Sequence, residues 1–247
     1  MADAPVPIAH VERYRVRFDE CGADGNLRTS AYVRYMQDVA SAHSSMAGYT
    51  REYYREHGIF WVVRYLDLHV LSASRSGESI DVSTAVTGFR RIWARRRSEF
   101  RDPHGALLAE ADVDWVLTTE QGRPTRVPAE IVRRFPASLT DYAPGRLELP
   151  DPPDTAVDVA RRVEPHELDP MAHVNNAAYV DQFEAALGGA GGATPTALPR
   201  RYRIEYLAPG GPGESLRWQV WPTGQAWAGR LRGDFGGELL RVLAGAG

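Results

Sequence analysis

Apolar and polar positions alternate along this chain in a fixed order that occurs twice. In the first half, Tyr14, Val16 and Phe18 interleave with Arg13, Arg15 and Arg17, which predicts a half-buried strand over 10–18. A turn-rich loop, residues 19–26, leads to a helix with Tyr32, Tyr35, Met36, Val39, Ala40 and His43 on one face; Thr29 or Ser30 is expected to cap it and Gly48 to close it. A short polar helix over 50–57, ended by Gly58, and a long apolar strand over 59–70 follow. Further strands are predicted over 79–89, 92–101 and 106–119, with Gly77-Glu78 and residues 102–105 as turns.

Five prolines between 136 and 153 give the next stretch a linker composition, after which the order restarts. A short strand over 157–163 and a loop precede a helix that ends at Gly188-Gly189, with strands over 200–207, 214–221, 226–234 and 238–244. Short strings recur between the halves: Ala31-Tyr32-Val33 with Ala178-Tyr179-Val180, Gly77-Glu78-Ser79 with Gly213-Glu214-Ser215. The expected architecture is α+β and duplicated, with units over 1–136 and 157–247 joined by a linker over 137–156. Such a chain is a pseudo-dimer in one polypeptide, with further pairing into a homodimer left open.

The chemistry concentrates in 166–179, His-Glu-Leu-Asp-Pro-Met-Ala-His-Val-Asn-Asn-Ala-Ala-Tyr. Asn175 or Asn176 is a natural N-cap for the helix that follows, so Asp169 and His173 would stand at its positive end. Backbone N–H groups over 175–178 are candidate donors to a carbonyl oxygen acquiring charge. The plain alternative is a loop whose Asp and Asn residues only make turns and caps. Superposing Tyr32 on Tyr179 sets Gly22 opposite Asp169 and Asn26 opposite His173, so the first half lacks both the acid and the imidazole.

The string Asp169-Pro-Met-Ala-His173-Val-Asn175-Asn176, with Glu184 on the helix, resembles the signature of hot-dog thioesterases of the 4-hydroxybenzoyl-CoA type. The whole chain is similar to the acyl-ACP thioesterase family, which fuses two hot-dog units, each a curved antiparallel sheet around a long helix. Gly22-Ala-Asp24, Trp61-Val-Val63, Arg95-Arg96, Arg101-Asp102 and Trp115-Val116 carry that likeness in the first half. The resemblance implies hydrolysis of a fatty acyl-ACP thioester, with one working loop in the second unit and the acyl chain in the first. It makes Asp169 the general base or nucleophile, His173 a group orienting carbonyl or water, and Asn175 a brace. Asn176 is expected near the substrate, with Met36, Val39, Trp61 and Trp93 lining its pocket, and Glu184 is expected to be an exposed charge. Plant members have a catalytic Asn where this chain has Met171, and a Glu-Cys pair where it has Pro209-Gly210, which points to a simpler mechanism. An acyl-CoA thioesterase and a non-catalytic acyl-binding protein are the competing readings.

A net charge of −3 gives no support for nucleic-acid binding, and no run reaches transmembrane length. The opening residues read as neither signal nor transit peptide, so a cytoplasmic bacterial protein is expected, whereas plant members of the family carry a plastid leader. One cysteine, Cys21, excludes an internal disulfide. His166 and His173 lack the company of a zinc motif, so neither metal nor cofactor is expected. Arg95, Arg96 and Arg97 form the densest basic run and are the candidate docking patch for an acidic carrier protein; a solvated strand face is the alternative.

Overall fold

A computed structural model describes residues 6–137, 142–192 and 195–247. The first unit contains β1 (Ala9–Arg15), α1 (Thr29–Met46), α2 (Arg51–Glu56), β2 (Ile59–Val70), β3 (Ser79–Arg90), β4 (Trp93–Arg101) and β5 (Leu107–Thr119). After α3 (Ala129–Arg134), the second contains β6 (Val157–Arg162), α4 (Asn176–Gly189), β7 (Arg200–Tyr206), β8 (Ser215–Thr223), β9 (Ala226–Arg232) and β10 (Glu238–Ala246). All ten strands join one sheet in the order β1-β3-β4-β5-β2-β7-β10-β9-β8-β6. From either edge inward, each unit therefore runs through its first, third, fourth, fifth and second strands. The units meet where β2 pairs antiparallel with β7, from Tyr65 opposite Glu205 to Val70 opposite Arg200. This is the tandem hot-dog.

Period-two alternation decides which side chains face the helices. In β4, Ala94, Arg96, Ser98 and Phe100 point inward and are buried, while Trp93, Arg95, Arg97 and Glu99 line the outer face. All six apolar-face residues read for α1 are buried. On α4, Tyr179, Val180, Phe183, Ala186 and Leu187 enter the same core as α1. Phe183 packs flat enough on the sheet that a Cβ at position 229 would lie 2.6 Å from its ring, so only glycine fits there.

Two local expectations are corrected. Arg28, not Thr29 or Ser30, is the N-cap of α1, and both hydroxyl residues are buried inside its first turn. The short helix α3 falls where no element was predicted; it buries Ile131 with Tyr49, Leu117 and Phe135. Six residues make too few turns to show a helical period.

Of the proline-rich stretch, residues 142–150 cross the outer face of the sheet as a strap, while 138–141 of the expected linker lie outside the described residues. Tyr142 is buried under the Arg95 guanidinium, 4.5 Å from the ring centroid. The Gly145 N–H donates to Asp114 Oδ2 at 2.7 Å, and Arg241 and Arg230 donate to the Leu147 and Pro150 carbonyls.

Candidate active site

The polar loop is built twice to one plan. In the first unit a 3₁₀ turn, Phe18–Glu20, is followed by a bridge between Cys21 and Leu27, and Gly22 N–H donates to Asn26 O at 2.8 Å. In the second, the 3₁₀ turn Pro165–Glu167 is followed by a bridge between Leu168 and Val174, and Asp169 N–H donates to His173 O at 2.8 Å. Gly25 and Ala172 fill the matching left-handed positions at φ +76° and +59°. The backbone thus supports the pairing of Gly22 with Asp169 and of Asn26 with His173. The scaffold survives in both units, whereas the acid and imidazole stand in one.

Asp169 holds the loop through one of its two carboxylate oxygens. Its Oδ1 accepts the N–H groups of Met171 at 2.8 Å and His173 at 3.2 Å, closing the turn. No described residue donates to Oδ2. His173 is half-buried beside it, and Met171 is 41% exposed, so the position held by Asn in plant relatives here faces solvent.

Asn175 is the N-cap of α4, its Oδ1 accepting from Ala177 N–H at 2.9 Å. This narrows the oxyanion expectation. Asn175 N–H is held by Glu167 O, Ala177 N–H by the cap, and Ala178 N–H by Asn175 O. Only the Asn176 N–H at the tip has no acceptor among the described residues.

Residues that the sequence reading passed over hold this tip in place. From α1, Gln37 Oε1 accepts from Asn176 Nδ2 at 2.8 Å, and its Nε2 donates to Asn175 Oδ1 at 3.3 Å. Tyr206 donates to Asn176 O at 3.3 Å. Buried Glu167 accepts from Arg161, from Gln182 at 3.0 Å and from Glu164 N–H at 2.8 Å, and so anchors the loop from behind. Gln37 was legible through the repeat: it occupies in α1 the place that Glu184 occupies in α4. The segment that replaces the plant Glu-Cys pair braces the loop by backbone alone. Gly210 O accepts from Val174 N–H at 3.0 Å, and its N–H donates to Tyr179 Oη at 2.7 Å. Burial pushes the Tyr179 phenol up to about 12, so it stays protonated.

Glu184 is not the exposed charge expected. It accepts from Tyr202 Oη at 2.8 Å and from Thr29 at the head of α1, and burial raises its pKa. It therefore ties α4 to β7 and to the first turn of α1. Burial also raises the pKa of the Cys21 thiol.

A narrow slot of about 20 Å³ lies under α1, bounded by Asn176, Gln37 and Tyr206 and by residues of the first unit. Val33, Met36, Ala40, Val63, Leu66 and Val113 give it apolar walls, and Arg96, Ser98 and Thr84 are its polar groups. Of the four expected lining residues, Met36 is there. Val39 is sealed in the core, Trp61 is tied to Tyr54 Oη in a separate cluster, and Trp93 lies on the outer face. The docking run also divides. Arg96 is interior, because a strand's alternation turns the middle of three consecutive residues inward, so it cannot meet a partner protein. Arg95 makes a bidentate pair with buried Asp114 at 2.7 and 2.8 Å, and Arg97 pairs with Glu110 and Asp112. Among the described residues no helix is long and apolar enough to span a membrane.

A duplicated hot-dog with one acid-bearing loop at a helix tip, opening on an apolar slot, defines a protein of the thioesterase class. Residues 7–135 match the family described as acyl-ACP thioesterase N-terminal domain, and the chain belongs to the acyl-ACP thioesterase family. Its fold is similar to that of a Lactobacillus plantarum protein assigned as an oleoyl thioesterase, with TM-score 0.83 and 20% identity over 96% of this chain and 94% of that one. An acyl-ACP thioesterase from Bacteroides thetaiotaomicron matches with TM-score 0.78 and 16% identity, over 96% and 97% of the two chains. The 12:0-ACP thioesterase from Umbellularia californica matches with TM-score 0.77 and 20% identity, over 96% of each. No curated protein matches the chain by sequence.

Proposed function

We propose that this protein hydrolyses fatty acyl-ACP to free fatty acid, with the thioester held at the tip of α4 and the acyl chain in the slot under α1. In this reading residues 1–136 form the acyl-binding unit, 137–156 the connecting strap and 157–247 the catalytic unit. Asp169 Oδ2 removes a proton from water, whose oxygen attacks the carbonyl carbon, or attacks that carbon itself to give a mixed anhydride that water then hydrolyses; in either route the C–S bond breaks and the carrier's thiolate leaves, taking up a proton. The Asn176 N–H, at the positive helix end, receives the developing oxyanion. His173 orients the carbonyl or the water, while Asn175 and Gln37 position the tip.

One observation carries the reading: two loops share a backbone, but acid and imidazole stand in only one, and Asn176 at the head of the helix after that loop lines the slot. A purely acyl-binding role gives no reason for that asymmetry. Carrier docking at the outer face falls to Arg95 and Arg97, whose ion pairs leave the guanidinium edges partly exposed. The test is hydrolysis of matched acyl-ACP and acyl-CoA substrates by the purified chain. Faster turnover of the ACP thioesters is expected; a preference for CoA thioesters would move the assignment to an acyl-CoA thioesterase, and no turnover of either would reject it.

A further inference from the structure

The slot under α1, as it stands, cannot hold a long acyl chain. About 20 Å³ is room for roughly one water molecule, so a chain seated there needs space that a side chain now fills. The lining residues differ in how far they can yield. Val33, Met36, Val63, Leu66 and Val113 are buried in the main core. Arg96 is held by His43 and Ser44, and buried Tyr206 donates to Asn176 O. Of the residues bounding the slot, only Gln37, Asn176 and Trp115 are not buried. The first two are hydrogen-bonded to each other at 2.8 Å and hold the α4 tip.

Trp115 is different. It is the inward residue of β5 that follows Val113, and its backbone is fixed between Ala94 of β4 and Val63 of β2. Its indole is the largest side chain on the slot wall and packs against the main core. The indole N–H is buried and has no acceptor among the described residues. No hydrogen bond holds the ring, so what it contributes here is bulk. That bulk shares a wall with Asn176 and Tyr206, at the helix tip assigned to the thioester. Because β5 is paired on both sides, the backbone does not give way to a ligand. Close-packed walls leave the ring no second place inside the slot, and turning it outward would expose an indole to water.

We propose that Trp115 sets the acyl length this protein accepts: its indole fills the volume that a longer chain would need, so the preferred substrates are short-chain acyl thioesters. This rests on the thioesterase reading for the reaction at Asp169.

The test is a series of straight-chain thioesters from butanoyl to hexadecanoyl on one carrier, hydrolysed by wild type, Trp115→Phe and Trp115→Ala. In wild type, kcat/KM should peak among the shortest members. In Trp115→Ala the peak should move to longer chains, each newly buried methylene adding about fourfold, with Trp115→Phe in between. A Trp115 that only packs the core would lower Tm and scale all lengths alike; an unmoved profile overturns the proposal, as does a wild type that prefers hexadecanoyl to butanoyl. Should Trp115→Ala fail to fold, the wild-type and Trp115→Phe profiles decide. Calorimetry with hexanoic and dodecanoic acids separates this proposal from the reaction. In the Asp169→Asn background, dodecanoic acid should bind no tighter than hexanoic acid, and tighter once Trp115→Ala is added; any other pattern counts against the role of Trp115. Absence of all hydrolysis sinks the reaction, and these binding orders still decide the length limit.

Discussion

Asp169 both closes a turn and is assigned the chemistry, and a pair of substitutions separates these duties. Asp169→Asn keeps an oxygen where Oδ1 accepts the Met171 and His173 N–H groups, so the turn survives. It removes the charge and basicity of Oδ2. A positioned general base is worth about 10²–10⁴ in rate, so kcat should fall by that factor. Since the turn is retained, Tm should stay within about 2 °C of wild type. Asp169→Ala loses the same chemistry and both turn hydrogen bonds. These are half-exposed, so the loss should be about 1–2 kcal/mol, which lowers Tm by a few degrees in a chain of this size. The assays are steady-state release of free thiol from an acyl thioester and thermal denaturation of both variants. Near-normal kcat in Asp169→Asn would show that the acid is only a turn former, and the mechanism above would fall.

The remaining expectations concern the supports around it. Gln37→Ala removes the two hydrogen bonds that cross from α1 to the α4 tip, and kcat should fall about tenfold with Tm little changed; Glu184→Ala, between β7 and the first turn of α1, should spare kcat, and equal losses in both would refute the one-site assignment. Asp114→Ala leaves Arg95 unpaired and frees the strap at Gly145, so stability in urea should drop by about 3 kcal/mol while the reaction rate holds. His43 is fully buried, and burial followed by the Arg96 charge pushes its pKa down to about 4. Between about 6.5 and 4 the unfolded chain therefore binds a proton that the folded one refuses. Stability from His43 is full above that window and is lost as pH falls through it. The difference between wild-type and His43→Gln urea midpoints should shrink on acidification across that range, and a pH-independent difference would contradict it.

The alternation of Tyr14 with its arginines, the stripe on α1, and the restart after the prolines were legible because strand and helix periods are local properties of the chain. So was the loop, whose residues are contiguous, and the loss of its acid in the first unit. Gln37 went unremarked, although the repeat sets it opposite Glu184. Tertiary structure alone decided what depends on a third dimension. Three consecutive arginines look like one patch in sequence, yet the pleat of β4 turns Arg96 into the slot and leaves Arg95 and Arg97 outside. Glu184 looks like an exposed helix charge until β7 brings Tyr202 against it. The helix tip appears rich in donors until its own cap and the Glu167 carbonyl take all but one. Partners distant in sequence set burial, charge state and the remaining hydrogen-bonding capacity, and no local pattern encodes those.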